Sequence, residues 1–352
     1  MERTAATTAR RSRLRHIALA AIAPWVAACT EPRADHPTAP LRAPARLADT
    51  GLYADIAARR IAEGVHTYSP QYPLWSDGAS KERWIRLPPG TAIDGTDPDH
   101  WVFPIGTKFW KEFRFERAVE TRFLQRCDDG SWLYATYRWN EDGSDAVLAP
   151  ECGVRGVCET SETKRHDLPS VADCRACHEG TRTPVLGFSA LQLAPERDPL
   201  APHAEEREAG DLDLLSLIER GLLRNYGAER TPRIAGSSAR ERAALGYLHG
   251  NCASCHNESG PLQRLGMRLD HPLDCASPPA LDTTVGVPSA FQRPGLTQRI
   301  APGEPDRSVL LQRLAASDAL AQMPPFGRHL VDREAAALLR DWIEHDLSPR
   351  RP

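Results

Sequence analysis

The sequence predicts an α+β protein: a β-rich N-terminal region followed by mostly α-helical segments. Two patterns carry that prediction. Apolar residues recur with period two from about 101 to 148, and with helical spacing from about 165 onward. A chain of 352 residues is long enough for more than one core, and its 24 Gly and 30 Pro imply many turns. The 44 basic and 47 acidic residues nearly cancel, giving a net charge of -3. No basic footprint for nucleic acid follows from that balance, and no nucleic-acid partner is expected.

Residues 1–28 read as a signal peptide to be set apart from the fold. Arg10, Arg11, Arg13, Arg15 and His16 make a basic start, and residues 17–28 an apolar run too short to span a bilayer. The run ends Val26-Ala27-Ala28-Cys29, which resembles a bacterial lipobox. That resemblance implies cleavage before Cys29, lipidation of its thiol, and a lipid anchor in a membrane facing the periplasm, the outer membrane. An ordinary signal peptide with an incidental Cys29 is the alternative. Residues 29–48 carry four prolines without an apolar period and read as a Pro-rich tether.

The β-rich region is expected over 49–165. It opens with a short helix at 52–62 (Leu52, Ile56, Ile61) ended by Gly64. An aromatic, turn-rich stretch, 68–84, follows. Phe109, Phe113 and Phe115 then mark a half-buried strand. Strands at 120–126 and 131–139 flank the hairpin loop Cys127-Asp128-Asp129-Gly130. In the second of them Leu133, Ala135, Tyr137 and Trp139 share one face, and residues 140–143 supply the next turn. Their bulk suits a β core.

Helical signals return in 166–235. Ser170 can cap a short helix, and residues 211–220 form an amphipathic helix stopped near Gly221. A last unit is expected over 236–348. Ser238 and Glu241 make a capping box, residues 306–314 a helix, and Asp332 the cap of a closing helix over 333–345. Gly246 and Tyr247 stand where the first and last of these helices would cross.

Two pentads carry the chemistry: Cys174-Arg175-Ala176-Cys177-His178 and Cys252-Ala253-Ser254-Cys255-His256. Cys-x-x-Cys-His in an exported chain reads as a covalent haem attachment site. Cys174, Cys177, Cys252 and Cys255 would hold two covalently attached haem c groups, with His178 and His256 reaching the two irons. Met323, ahead of Pro324 and Pro325, is the natural second ligand of haem 2; Met/His ligation raises the reduction potential. Haem 1 has no methionine downstream before Met267. His166 and His203 are candidates for its sixth position, which could also stay open. Of nine cysteines, Cys127, Cys152, Cys158 and Cys275 remain. In an oxidising compartment three pairings are possible, and the short Cys152–Cys158 loop is the easiest to close.

Beyond the pentads, Leu74-Trp75-Ser76-Asp77-Gly78-Ala79, Lys81, Arg83, Trp84, Leu87-Pro88-Pro89-Gly90 and Phe103-Pro104 through Lys111 form a recurring pattern with Leu186-Gly187-Phe188. With it the chain resembles a family of bacterial di-haem c-type cytochromes, uncharacterised and often lipoproteins, over about 50–345. The segment with Pro302, Met323-Pro324-Pro325 and Trp342-Ile343 is similar to cytochrome c domains. The resemblance implies a C-terminal cytochrome c-like domain and extracytoplasmic electron transfer. A carrier exchanging electrons with a redox protein as donor or acceptor is expected before a catalyst, because no general acid or base constellation is legible near Cys174. The alternative is a di-haem peroxidase or oxidase with an open haem 1. The stretch holding Cys152 and Cys158 departs from the family pattern.

Overall fold

A six-stranded antiparallel meander lies at the centre of the computed structural model, which describes residues 42–159, 165–227 and 231–347. Residues 1–28, Cys29 and most of the tether lie outside the described residues. The strands run in chain order: β1 (His66–Thr67), β2 (Ser80–Arg86), β3 (Lys108–Arg114), β4 (Ala118–Arg126), β5 (Trp132–Trp139) and β6 (Ala146–Leu148). The β4–β5 hairpin turns at Cys127–Gly130 as expected, with Gly130 at a φ of 81° that favours glycine.

Strand alternation gives the sheet two different faces. Trp110, Phe123, Ala135, Tyr137 and Trp139 point to one side, where Leu47, Leu52 and Tyr53 cover them. The expected face of β5 is therefore observed, apart from Leu133, which packs at its margin. The other side carries Ile85, Phe109, Leu124 and Tyr134 under Trp101, Phe103, Val185 and Phe188.

Three expectations for this region change. Residues 52–62 form a hairpin, Tyr53–Asp55 with Arg60–Ile61, instead of a helix. Leu52 and Tyr53 must both reach the sheet, and Arg59 takes a φ of 54° to turn the chain back. Residues 42–48 belong to the body and not to a tether: Leu47 is fully buried, and Arg46 Nε donates to Asp145 over 2.6 Å. The turn-rich reading of 68–84 missed β2. Its charged residues look like surface, yet Arg83 pairs with Lys111 and Lys81 with Phe113 inside the fold.

The helices are α1 (Val171–His178), α2 (Leu214–Glu219), α3 (Ala239–Cys252), α4 (Pro279–Thr284), α5 (Val309–Ala315) and α6 (Arg333–His345). The expected caps hold. Ser170 Oγ accepts from Asp173 N at 3.0 Å, Ser238 Oγ from Glu241 N at 2.9 Å, and Asp332 Oδ1 from Ala335 N at 3.0 Å. Glu241 closes its box one residue early, accepting from Ser237 N at 2.8 Å. α3, α5 and α6 share a core of Leu245, Tyr247, Leu248, Leu311, Leu339, Trp342 and Ile343.

Gly246 serves a different neighbour from the one expected. A Cβ there would strike the Tyr72 ring, and one at Gly250 the Tyr72 carbonyl. The close approach onto α3 is made by the segment before β2, not by α6. Tyr72 thereby enters the helical core, and Leu41–Pro352 forms one unit. The boundaries expected at 165 and 235 are not breaks in packing.

The four remaining thiols are unpaired. Cys152 is in a turn, whereas Cys158 is on the strand Val154–Glu159, paired with Arg165–Leu168. The short segment between them is thus strand and not the open loop expected, with a register shift between Val154 and Cys158.

Candidate functional site

The first pentad is delivered by α1, which packs over β5 with its N-terminus fixed by the Ser170–Asp173 capping box. Its last residue, His178, is half-buried. His178 Nδ1 hydrogen-bonds the Pro184 carbonyl at 2.8 Å, and the Tyr134 ring lies 5.4 Å away, centroid to centroid. Burial pushes the imidazole pKa down to about 4, so the ring is neutral near pH 7. A neutral imidazole whose Nδ1 is tied to a carbonyl has its Nε2 lone pair available to a metal.

α3 runs directly into the second pentad. Cys252 closes the helix, and the amides of Cys255 and His256 bond back to its carbonyl at 3.2 and 3.0 Å. The His256 pKa is likewise lowered to about 4 by burial, assisted by Arg299 and Arg313. Its Nδ1 is buried without a hydrogen-bond partner. Met323 is half-buried and its amide bonds the carbonyl of Arg313 at 2.9 Å, the residue whose charge also acts on His256.

The turn after the first pentad packs directly on the second. A Cβ on Gly180, two residues after the first, would collide with the carbonyl of Ser254 inside the second. Asn257 Nδ2 ties them, donating to Gly180 O at 2.8 Å and Ala253 O at 2.7 Å. Burial and the neighbouring Cys255 push the Cys177 thiol up to about 11, and Cys252 is pushed to about 12 for the same reasons. Reactive dithiols show the opposite shift, so thiol–disulfide chemistry is a poor use of these pairs. Among the described residues no group of three or more His, Cys, Asp or Glu side chains is arranged as a metal cage. Iron in a porphyrin needs only one or two protein ligands, so the residues present fit haem better than zinc.

The two histidines considered for haem 1 are otherwise engaged. His166 Nε2 lies 2.8 Å from Glu120 Oε1, between the Phe113 and Phe115 rings. His203 uses both ring nitrogens, on Asp332 at 2.8 Å and Glu334 at 3.3 Å, and stacks on Trp75. Each is held by carboxylates that sequence separation concealed.

Trp75 and Asp77 acquire a role. The buried Asp77 carboxylate accepts from the amides of His329 and Leu330 at 2.8 Å each, and Trp75 Nε1 donates to Leu330 O at 3.3 Å. The Trp75 amide in turn donates to Asn251 Oδ1 at 2.7 Å, just before Cys252. The motif clamps the loop after Met323 to the end of α3. Trp84 of the same pattern faces the far side of the sheet, with Trp110 and Phe123.

His249 and His271 were not foreseen. His249 Nδ1 accepts from the His271 amide at 3.2 Å, and burial lowers both pKa values to about 4. Unfolded histidine keeps a pKa near 6.5, so the unfolded chain binds more protons between pH 6.5 and 4. Stability therefore falls as pH drops through that window. His271, 4 % exposed, accounts for on the order of 2 to 3 kcal/mol of the loss. Urea midpoints at pH 7 and 4.5 measure the fall, and His271→Gln should flatten it.

No protein-family model, curated protein or solved structure matches this chain. No helix among the described residues is long and apolar enough to cross a membrane.

Proposed function

We propose that the protein is an extracytoplasmic di-haem c-type cytochrome that passes electrons between redox partners, with residues 236–348 acting as its cytochrome c-like domain. The observation that carries this reading is the close packing of the turn after the first pentad against the second, through Gly180, Ser254 and Asn257. Two covalently held haems supply one-electron chemistry, and their potentials follow axial ligand and burial. Cys174, Cys177, Cys252 and Cys255 hold them covalently, His178 and His256 present neutral imidazoles, and Met323 serves the second site. Asp77 and Trp75 keep the Met323 loop in place, and Asn257 keeps the two sites in register. A lipid anchor at Cys29 would hold this carrier at the outer membrane, facing a soluble or membrane-bound redox partner.

A peroxidase or oxidase reading draws on one observation: the two histidines considered for the second side of haem 1, His166 and His203, are both committed to carboxylates. Spectra of the reduced protein with and without carbon monoxide separate the two. The carrier reading expects two low-spin haems that do not respond. A rapid shift in about one haem of the two would favour the enzyme.

A further inference from the structure

The sheet face beneath the first pentad is not wholly apolar. Cross-strand pairing sets Arg83 of β2 opposite Lys111 of β3, Lys111 opposite Arg122 of β4, and Arg122 opposite Thr136 of β5. Directly paired residues project to the same face, so these form one polar row across four strands. The row ends at α1: the charge of Arg122 acts on Cys174 and Cys177, and that of Lys111 on His178. Lys81, one register step away opposite Phe113, adds a further cation.

Two members of the row have counter-charges. Arg83 pairs with Glu205 at 2.5 Å, its side chain 3 % exposed, and Arg122 pairs with the fully buried Glu120 at 2.6 Å. Lys81 donates to the Leu74 carbonyl at 2.7 Å. Among the described residues the side chain of the half-buried Lys111 makes no hydrogen bond or ion pair, and its ammonium lies over the Phe113 ring, 4.9 Å from the centroid. Burial and the cations Arg83, Lys81 and Arg122 push its pKa well below the usual lysine value. A half-buried ammonium between two guanidinium groups is repelled by both, and an anion that reached it would relieve that repulsion. Arg83 and Arg122 are already paired with Glu205 and Glu120, so among the described residues no carboxylate is paired with Lys111.

We infer that the row Arg83–Lys111–Arg122 is an oxyanion-binding site beside His178, with Lys111 as its central donor and a carboxylate as its ligand class. The inference rests on the haem reading of the first pentad for one of its two sources. The carboxylate is either a propionate of haem 1 or a small diffusible carboxylate that reaches the same cations.

The test uses the full-length holoprotein as wild type, Lys111→Met, Lys111→Gln and Lys111→Arg, each checked by intact mass for two haems. Haem 1 is titrated spectroelectrochemically, first in a carboxylate-free buffer and then with acetate. Removing a positive charge beside the iron favours the oxidised state. If a propionate is the ligand, Lys111→Met and Lys111→Gln shift the oxidised-to-reduced ratio at fixed poise about tenfold toward oxidised without acetate, about 59 mV. Lys111→Arg restores most of the wild-type ratio, and acetate changes nothing. If the ligand is diffusible, acetate shifts the wild-type haem 1 saturably and leaves Lys111→Met unmoved. Unchanged potentials and unchanged acetate response with two haems attached would overturn the site. So would conversion of haem 1 from six- to five-coordinate in the Met variant, which would make Lys111 an iron ligand. A wild type with fewer than two haems would defeat the haem reading instead; calorimetric acetate binding by wild type against Lys111→Met then decides the site alone.

Discussion

On the proposed di-haem reading, Met323→Ala lowers the reduction potential of haem 2 on the order of 0.2 V, within the roughly 0.8 V that axial ligands span across haem proteins. The thioether is a soft ligand that favours ferrous iron, so its loss leaves the oxidised form relatively more stable. The fold should tolerate the change. Met323 is half-buried, and its hydrogen bond to Arg313 is made by the backbone amide, which Ala retains. The loop is held from behind by Asp77 through His329 and Leu330. Potentiometry with far-UV circular dichroism as control measures both, and an unchanged potential would refute the ligand assignment.

Gly180→Ala destabilises the protein by about 1 to 3 kcal/mol and, on the di-haem reading, slows electron exchange between the haems. The added methyl has nowhere to go: the Ser254 carbonyl and the Pro261 ring block it, and both belong to the second pentad and its following loop. Backbone cannot yield as a side-chain tip can, so the two pentads must move apart. Asn257 would then lose its hold on the Gly180 carbonyl, now 2.8 Å away. Gly227→Ala is the control, since nothing among the described residues lies within 4 Å of a Cβ there; it should change stability by less than about 0.5 kcal/mol. Urea unfolding checks the stability, and flash-photolysis kinetics check the exchange rate.

Local signals in the sequence translated well into structure. Ser170, Ser238 and Asp332 cap the helices they were expected to cap, because an N-cap depends on residues three positions apart. The alternation Ala135, Tyr137, Trp139 gave the buried face of β5, because strand periodicity is equally local. Where the outcome depended on distant partners, the sequence misled. Charged β2 reads as surface until β3 pairs with it, and the run from Leu52 to Ile61 has helical spacing yet folds as a hairpin in which Tyr53 pairs with Ile61. Gly246 yields to Tyr72, far away in the chain, and not to the closing helix.

The candidate site divides along the same line. The pentads and Met323 were legible as motifs, since adjacent residues define them. Their contact was not legible, because Gly180 meets Ser254 only after the β-rich region has been threaded onto α3 by Tyr72 and Trp75. The engagement of His166 by Glu120 and the row of cations under α1 depend on sheet register, which composition does not disclose.

Intact mass spectrometry of the protein exported in cells that attach haem to c-type cytochromes tests the central claim most directly. The account predicts a chain carrying two covalent haems, falling to one when Cys174 and Cys177, or Cys252 and Cys255, are both replaced by Ala. A wild-type chain with one haem or none would contradict it.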